Sequence, residues 1–79
     1  MRIKEMKVSK NLTVDELITF INTASNFESE ITIKGGHFTI DAKSILGVIT
    51  LLMAGMDITI ITRGDDEEEA LKAIAEFLI

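Results

Sequence analysis

The sequence predicts an α+β fold, a two-layer sandwich in which one sheet of four short strands carries three helices on one face. Three observations point there. Apolar residues alternate at period two in stretches 2–8, 31–42 and 57–62. They recur at helical spacing in 14–25, 44–55 and 65–79. A chain of 79 residues makes one domain, so these elements must share a single core.

The first strand is RIKEMKV, 2–8, with Met6 and Val8 turned inward. In TVDELITFINTASNF, Thr13 and Glu16 have the spacing of a capping box, whose hydroxyl takes one orphan amide and whose carboxylate takes another. Val14, Leu17, Ile18 and Ile21 follow at i, i+3, i+4 and i+7, and Phe20 and Ala24 widen the stripe; this is the first helix, 14–25. EITIKGGHFTIDA reads as a hairpin. Ile31 and Ile33 alternate before the turn, Phe38, Ile40 and Ala42 after it, and Gly35-Gly36 is expected to supply the positive φ angles of a tight turn. The second helix is expected from Ser44 as N-cap to Gly55 as its stop. DITIIT is the last strand, with Ile58 and Ile60 inside. Arg63-Gly64 turns the chain into a third helix, whose stripe is Ala70, Leu71, Ile74, Phe77 and Leu78. The order is β-α-β-β-α-β-α.

Composition narrows function. The chain is 47% apolar and 27% charged, which is globular. It contains no cysteine, so disulfides and thiolate metal sites are excluded, and a reducing cytosol is the expected compartment. MRIKEMKVSK has no hydrophobic region and is not read as a signal peptide. The longest apolar run, Ile45 to Met56, is too short to span a bilayer. Net charge is −5 and the eight bases are scattered, so the clustered cations of nucleic-acid binding are not expected.

Catalytic constellations are hard to assemble. Asp65, Asp66, Glu67, Glu68 and Glu69 are consecutive, so their side chains diverge instead of converging on a metal, and they suit the positive end of a helix dipole. His37 is the one histidine and is expected to face solvent on a hairpin strand, with no dyad partner nearby in sequence. Asp15 and Glu16 read as capping residues. No Walker or Rossmann phosphate loop is present, and KGGH lies inside the hairpin. No cofactor, no metal and no catalytic residue is expected.

The second helix stands apart because DAKSILGVITLLMAG is apolar nearly all round. A helix presents about half its circumference to a sheet. With Val48, Leu51 and Leu52 inward, Ile45, Leu46 and Ile49 lie together on the outside, either under another helix or open as an interaction surface. Ser44 is sufficiently explained as an N-cap worth about 1 kcal/mol.

These residues carry a resemblance. KSILGV (43–48) resembles the regulatory-serine motif of HPr, the histidine-containing phosphocarrier family of the bacterial sugar phosphotransferase system. NTASNFESEITI (22–33) and AGMDITIITRGDDEEEALKAI (54–74) resemble other parts of that family, and the likeness covers nearly the whole chain. It implies an open-faced sandwich with an antiparallel sheet. It also implies a departure: the family opens its first helix on a His-Ala-Arg-Pro-Ala-like element, and this chain has NLTVDE (11–16). Thr13 stands at the phosphoryl-accepting histidine, Asp15 at the arginine and Glu16 at the proline. A hydroxyl cannot support phosphoramidate relay, and two carboxylates repel an incoming phosphate. Ser44 matches the serine phosphorylated by an ATP-dependent kinase. Ile45, Leu46 and Ile49, joined by Val14 and Ile18, match the partner-docking surface. The resemblance therefore implies a non-enzymatic binding or regulatory module whose partners are proteins, among them phosphotransferase components or a serine kinase. Two alternatives stay open: a phosphocarrier working through His37 or another residue, and a homo-oligomeric module closed by the same five apolar residues.

Overall fold

The structure is a computed structural model that describes residues 1–51 and 54–79, without the side chains of 50 and 51. Seven elements follow in the expected order: β1 (Arg2–Lys7), α1 (Val14–Ser25), β2 (Glu30–Lys34), β3 (Thr39–Asp41), α2 (Ile45–Leu51), β4 (Asp57–Arg63) and α3 (Glu67–Phe77). The strands form one sheet in the order β1-β4-β2-β3, every neighbour antiparallel. Register follows the alternation. Met6 opposes Ile58, Ile33 opposes both Ile60 and Ile40, and Ile31 opposes Thr62. One face of the sheet is thereby lined by Ile31, Ile33, Ile40, Ile58 and Ile60, all buried.

The helices cover that face. α3 packs on β4, β1 and β2, α2 packs on β3, and α1 lies against both helices. The phenyl ring of Phe20 from α1 meets Phe77 of α3 edge to face, with centroids 5.5 Å apart. Ala24, Ala70 and Ile74 complete the seam, each with no exposed surface. The opposite face of the sheet is uncovered and mostly polar, with Glu5, Lys7, Lys34 and Arg63 exposed on it beside the cross-strand pair Ile3 and Ile61.

Several expectations change. Gly35 and Gly36 do not take positive φ; among the described residues only Gly55 (φ +89°) and Gly64 (φ +150°) do. The connection is a four-residue loop, 35–38, flanked by the Lys34–Thr39 pair and closed by the Gly35 amide on the Phe38 carbonyl at 3.0 Å. Gly35 is needed for space, because a Cβ there would enter the Phe38 ring. His37 is exposed as expected, but on this loop and not on a strand. The second helix begins at Ile45, directly after Ser44, and is described as far as Leu51; Gly55, its expected stop, has φ of +89°. Leu52 and Met53 lie outside the described residues, as do the side chains of Thr50 and Leu51, and with them the inward placement of Leu51 and Leu52.

Candidate functional site

The entrance of α1 is built from its own side chains. Thr13 is the N-cap, and its Oγ1 accepts the Glu16 amide at 3.2 Å. Glu16 Oε1 accepts the Thr13 amide at 3.0 Å, and Oε2 accepts Lys10 Nζ at 3.1 Å. The Thr13 amide, and after it Lys10, hold the Glu16 carboxyl below the usual carboxylate range. The capping box is therefore closed, and Glu16 is neutralised by Lys10. Asp15 takes no part in the cap. Its carbonyl receives the Thr19 hydroxyl at 3.0 Å, and its carboxylate stands exposed with no cation beside it among the described residues.

Past the cap, α1 divides its apolar residues between two directions. Phe20 and Ala24 are buried, and Leu17 and Ile21 are half-buried against the core. Val14 and Ile18 face away, 71% and 46% exposed. On α2, Val48 is fully buried, while Ile45, Leu46 and Ile49 are 48%, 76% and 50% exposed. α2 sits close on β3, since a Cβ on Gly47 would come within 3.3 Å of Ile40. With its inner side fixed in this way, the helix turns Ile45, Leu46 and Ile49 outward.

Two tethers set how the helices lie together. Asn11 Oδ1, just before α1, accepts the Ala54 amide beyond α2 at 2.8 Å. Lys43 Nζ, just before α2, donates to the Phe27 carbonyl beyond α1 at 2.9 Å. α2 therefore returns beside α1 in the opposite sense. Val14 and Ile49 share the Asn11 end of the surface, and Ile45 lies at the Phe27 end. Ser44 is exposed at that second end, with its Oγ 3.4 Å from the Gly47 amide and its carbonyl accepting the Val48 amide at 3.0 Å. The twelve residues of α1 span roughly 18 Å, so Thr13 and Ser44 stand at opposite ends of the patch.

The acidic run 65–69 is partly employed elsewhere. Asp66 opens α3 without capping it. Its carboxylate crosses to the loop after α1, accepting the amides of Glu28 (2.9 Å) and Ser29 (3.0 Å) and the Ser29 hydroxyl. Glu67 accepts the Gly64 amide at 3.1 Å, and the Thr62 hydroxyl reaches the Glu67 carbonyl at 2.8 Å. Glu67 to Glu69 occupy the first turn of α3, where the dipole favours them. Nothing in a run of five acids signals that Asp66 reaches the 28–29 loop while Glu67 and Glu68 pair with the Met1 ammonium and Arg2 of β1; the buried Ser29 and Thr62 are the residues that sequence reasoning missed. Among the described residues, no three of His, Cys, Asp or Glu gather as metal ligands, and no helix is long and apolar enough to cross a membrane.

Comparison with known proteins gives a consistent set of relatives. The PTS-HPr family, described as PTS HPr component phosphorylation site, matches residues 9–79. HPr-like protein Crh of Halalkalibacterium halodurans is 37% identical over 75 residues, covering 94% of this chain and 89% of that protein. The crystal structure of the phosphocarrier protein HPr from Bacillus anthracis superposes with a TM-score of 0.89 at 36% identity, over 99% of this chain and 96% of that one. The catabolite repression protein Crh of Bacillus subtilis, described as a swapping-domain dimer, superposes with a TM-score of 0.74 at 30% identity, over 92% and 83% of the two chains.

Proposed function

The chain belongs to the HPr family, and from that premise we propose that it is a protein-binding regulatory module which has given up phosphoryl relay. The observation that carries this reading is the pair of features at the α1–α2 surface. Five aliphatic side chains, Val14, Ile18, Ile45, Leu46 and Ile49, remain exposed together on two packed helices. At its entrance, where the family resemblance sets the phosphoryl-accepting histidine, the residue is Thr13, engaged with Glu16 in a closed capping box. An imidazole accepts and returns a phosphoryl group on nitrogen; a threonine hydroxyl offers no such leaving-group chemistry, and the cation beside this cap, Lys10, is already paired with Glu16. His37 is not a substitute in this reading, since it lies on the exposed 35–38 loop with no hydrogen-bond partner among the described residues.

Ser44 is the proposed regulatory site. A phosphate on its exposed hydroxyl adds roughly two negative charges beside Ile45, which disfavours a partner that covers the patch with apolar surface. Incubation with ATP and the family's serine kinase is expected to label the wild type and not Ser44→Ala; an unlabelled wild type ends the regulatory half of the proposal. Incubation with phosphoenolpyruvate and the general phosphotransferase kinase is expected to leave the chain unlabelled.

The dimer described for Bacillus subtilis Crh favours a second reading, a homo-oligomeric module. Sedimentation of the wild type against Ile49→Glu separates the two. A wild-type dimer that Ile49→Glu turns into a monomer supports self-association through the patch, and a monomer in both supports a foreign partner.

A further inference from the structure

Resting on the reading of the α1–α2 patch as a docking surface, the geometry points to a partner whose apolar contact is flanked by a basic side chain, Lys or Arg, set opposite Asp15. The charges around the patch are few and can be followed one by one. No residue from Ile45 to Met56 is charged. Glu16 is paired with Lys10, at 3.1 Å. Lys43, at the Ser44 end, spends its ammonium on the Phe27 carbonyl at 2.9 Å and is half-buried, while Asp41 beside it accepts the Lys43 amide at 2.8 Å. Asp15 remains. It follows Val14 and precedes Ile18 on the same helix, so it stands on the rim of the patch at the Asn11 end, exposed and without an ion pair among the described residues.

A carboxylate at that position discriminates between visitors. It lies in the first turn of α1. A partner that covers the rim with apolar or acidic atoms strips its water and returns nothing, whereas a Lys or Arg there restores the interaction and steers approach. A second copy of this chain is the poorer occupant. It brings another Asp15, and both nearby lysines are already engaged. The charge also makes the surface directional, since the cation is wanted at the Val14 and Ile49 end and not at the Ser44 end.

Two synthetic amphipathic helical peptides, identical except that one carries lysine and the other glutamate on its polar face, provide the probe. Titration of the full chain by NMR is expected to shift amides in 14–22 and 45–49 with the leucine–lysine peptide, with affinity about three- to tenfold above that of the leucine–glutamate peptide. Asp15→Lys is expected to remove or reverse that preference. Glu5→Lys, an equal change of net charge on the uncovered sheet face, is expected to leave it intact. Asp15 makes no described side-chain contact, so the variant should fold, and Asp15→Asn provides a milder check. A preference unchanged in Asp15→Lys, or lowered equally by Glu5→Lys, overturns the inference while leaving the patch as a docking surface. Absence of shifts at 14–22 and 45–49 with both peptides overturns the docking reading together with it.

Discussion

Asp66 shows how much a single carboxylate can hold. The chain turns at Gly64 so closely past Ser29 that a Cβ on Gly64 would stand 2.7 Å from the Ser29 Cα, and φ of +150° already demands glycine there. Asp66 then fastens the same loop by accepting two amides and a hydroxyl. The Ser29 hydroxyl first, and the Glu28 amide next, draw its pKa below the ordinary aspartate value. A carboxyl whose pKa is depressed by folding adds stability above its unfolded pKa of about 3.9, and that contribution is lost as pH falls through the folded value. Asp66→Asn is therefore expected to lower the urea midpoint at pH 7. The difference from wild type should shrink as pH falls below about 4. Chemical denaturation across that range checks this, and a difference independent of pH contradicts it. Glu68 and Glu69 of the same run are exposed, and sequence gives no means of telling them from Asp66, because the bond partner lies 37 residues away.

At the scale of elements, α1 and α2 are the informative pair. The capping box at Thr13 and Glu16 is legible from spacing alone, because it is local and closes on itself. Thr13→Ala is expected to cost about 1 kcal/mol in urea unfolding, the usual worth of an N-cap. The exposure of Val14 and Ile18 is not legible from periodicity, which places them in the same apolar stripe as Leu17 and Ile21. Which part of the stripe meets the core depends on where α2 and α3 press, a tertiary fact. The 35–38 loop fails for a related reason, since a glycine pair permits positive φ without requiring it, and the Phe38 ring decides the local geometry. An open face has a simple stability signature. Leu46→Glu is expected to change stability by no more than about 0.5 kcal/mol, whereas Val48→Ala, on the buried side of the same helix, should cost about 2 kcal/mol. Equal losses in the two variants would mean that the face is covered.

As a whole molecule the chain is an HPr fold whose sheet, order of elements and core follow from alternation in the strands and helical recurrence between them. Those signals survive because a strand slipped by one residue would turn Ile31 and Ile33, or Ile58 and Ile60, into water. In the proposed reading, function rests on what this core leaves outside: five exposed aliphatic side chains, Ser44 and Asp15, with a capped threonine at the entrance of α1. The relay chemistry is the central question, and intact mass spectrometry after incubation with phosphoenolpyruvate and the general phosphotransferase kinase addresses it most directly, with a working HPr as control in the same reaction. The control is expected to gain an acid-labile phosphate while this chain keeps its unmodified mass. An acid-labile phosphate on this chain, at His37 or at any other residue, would contradict the account.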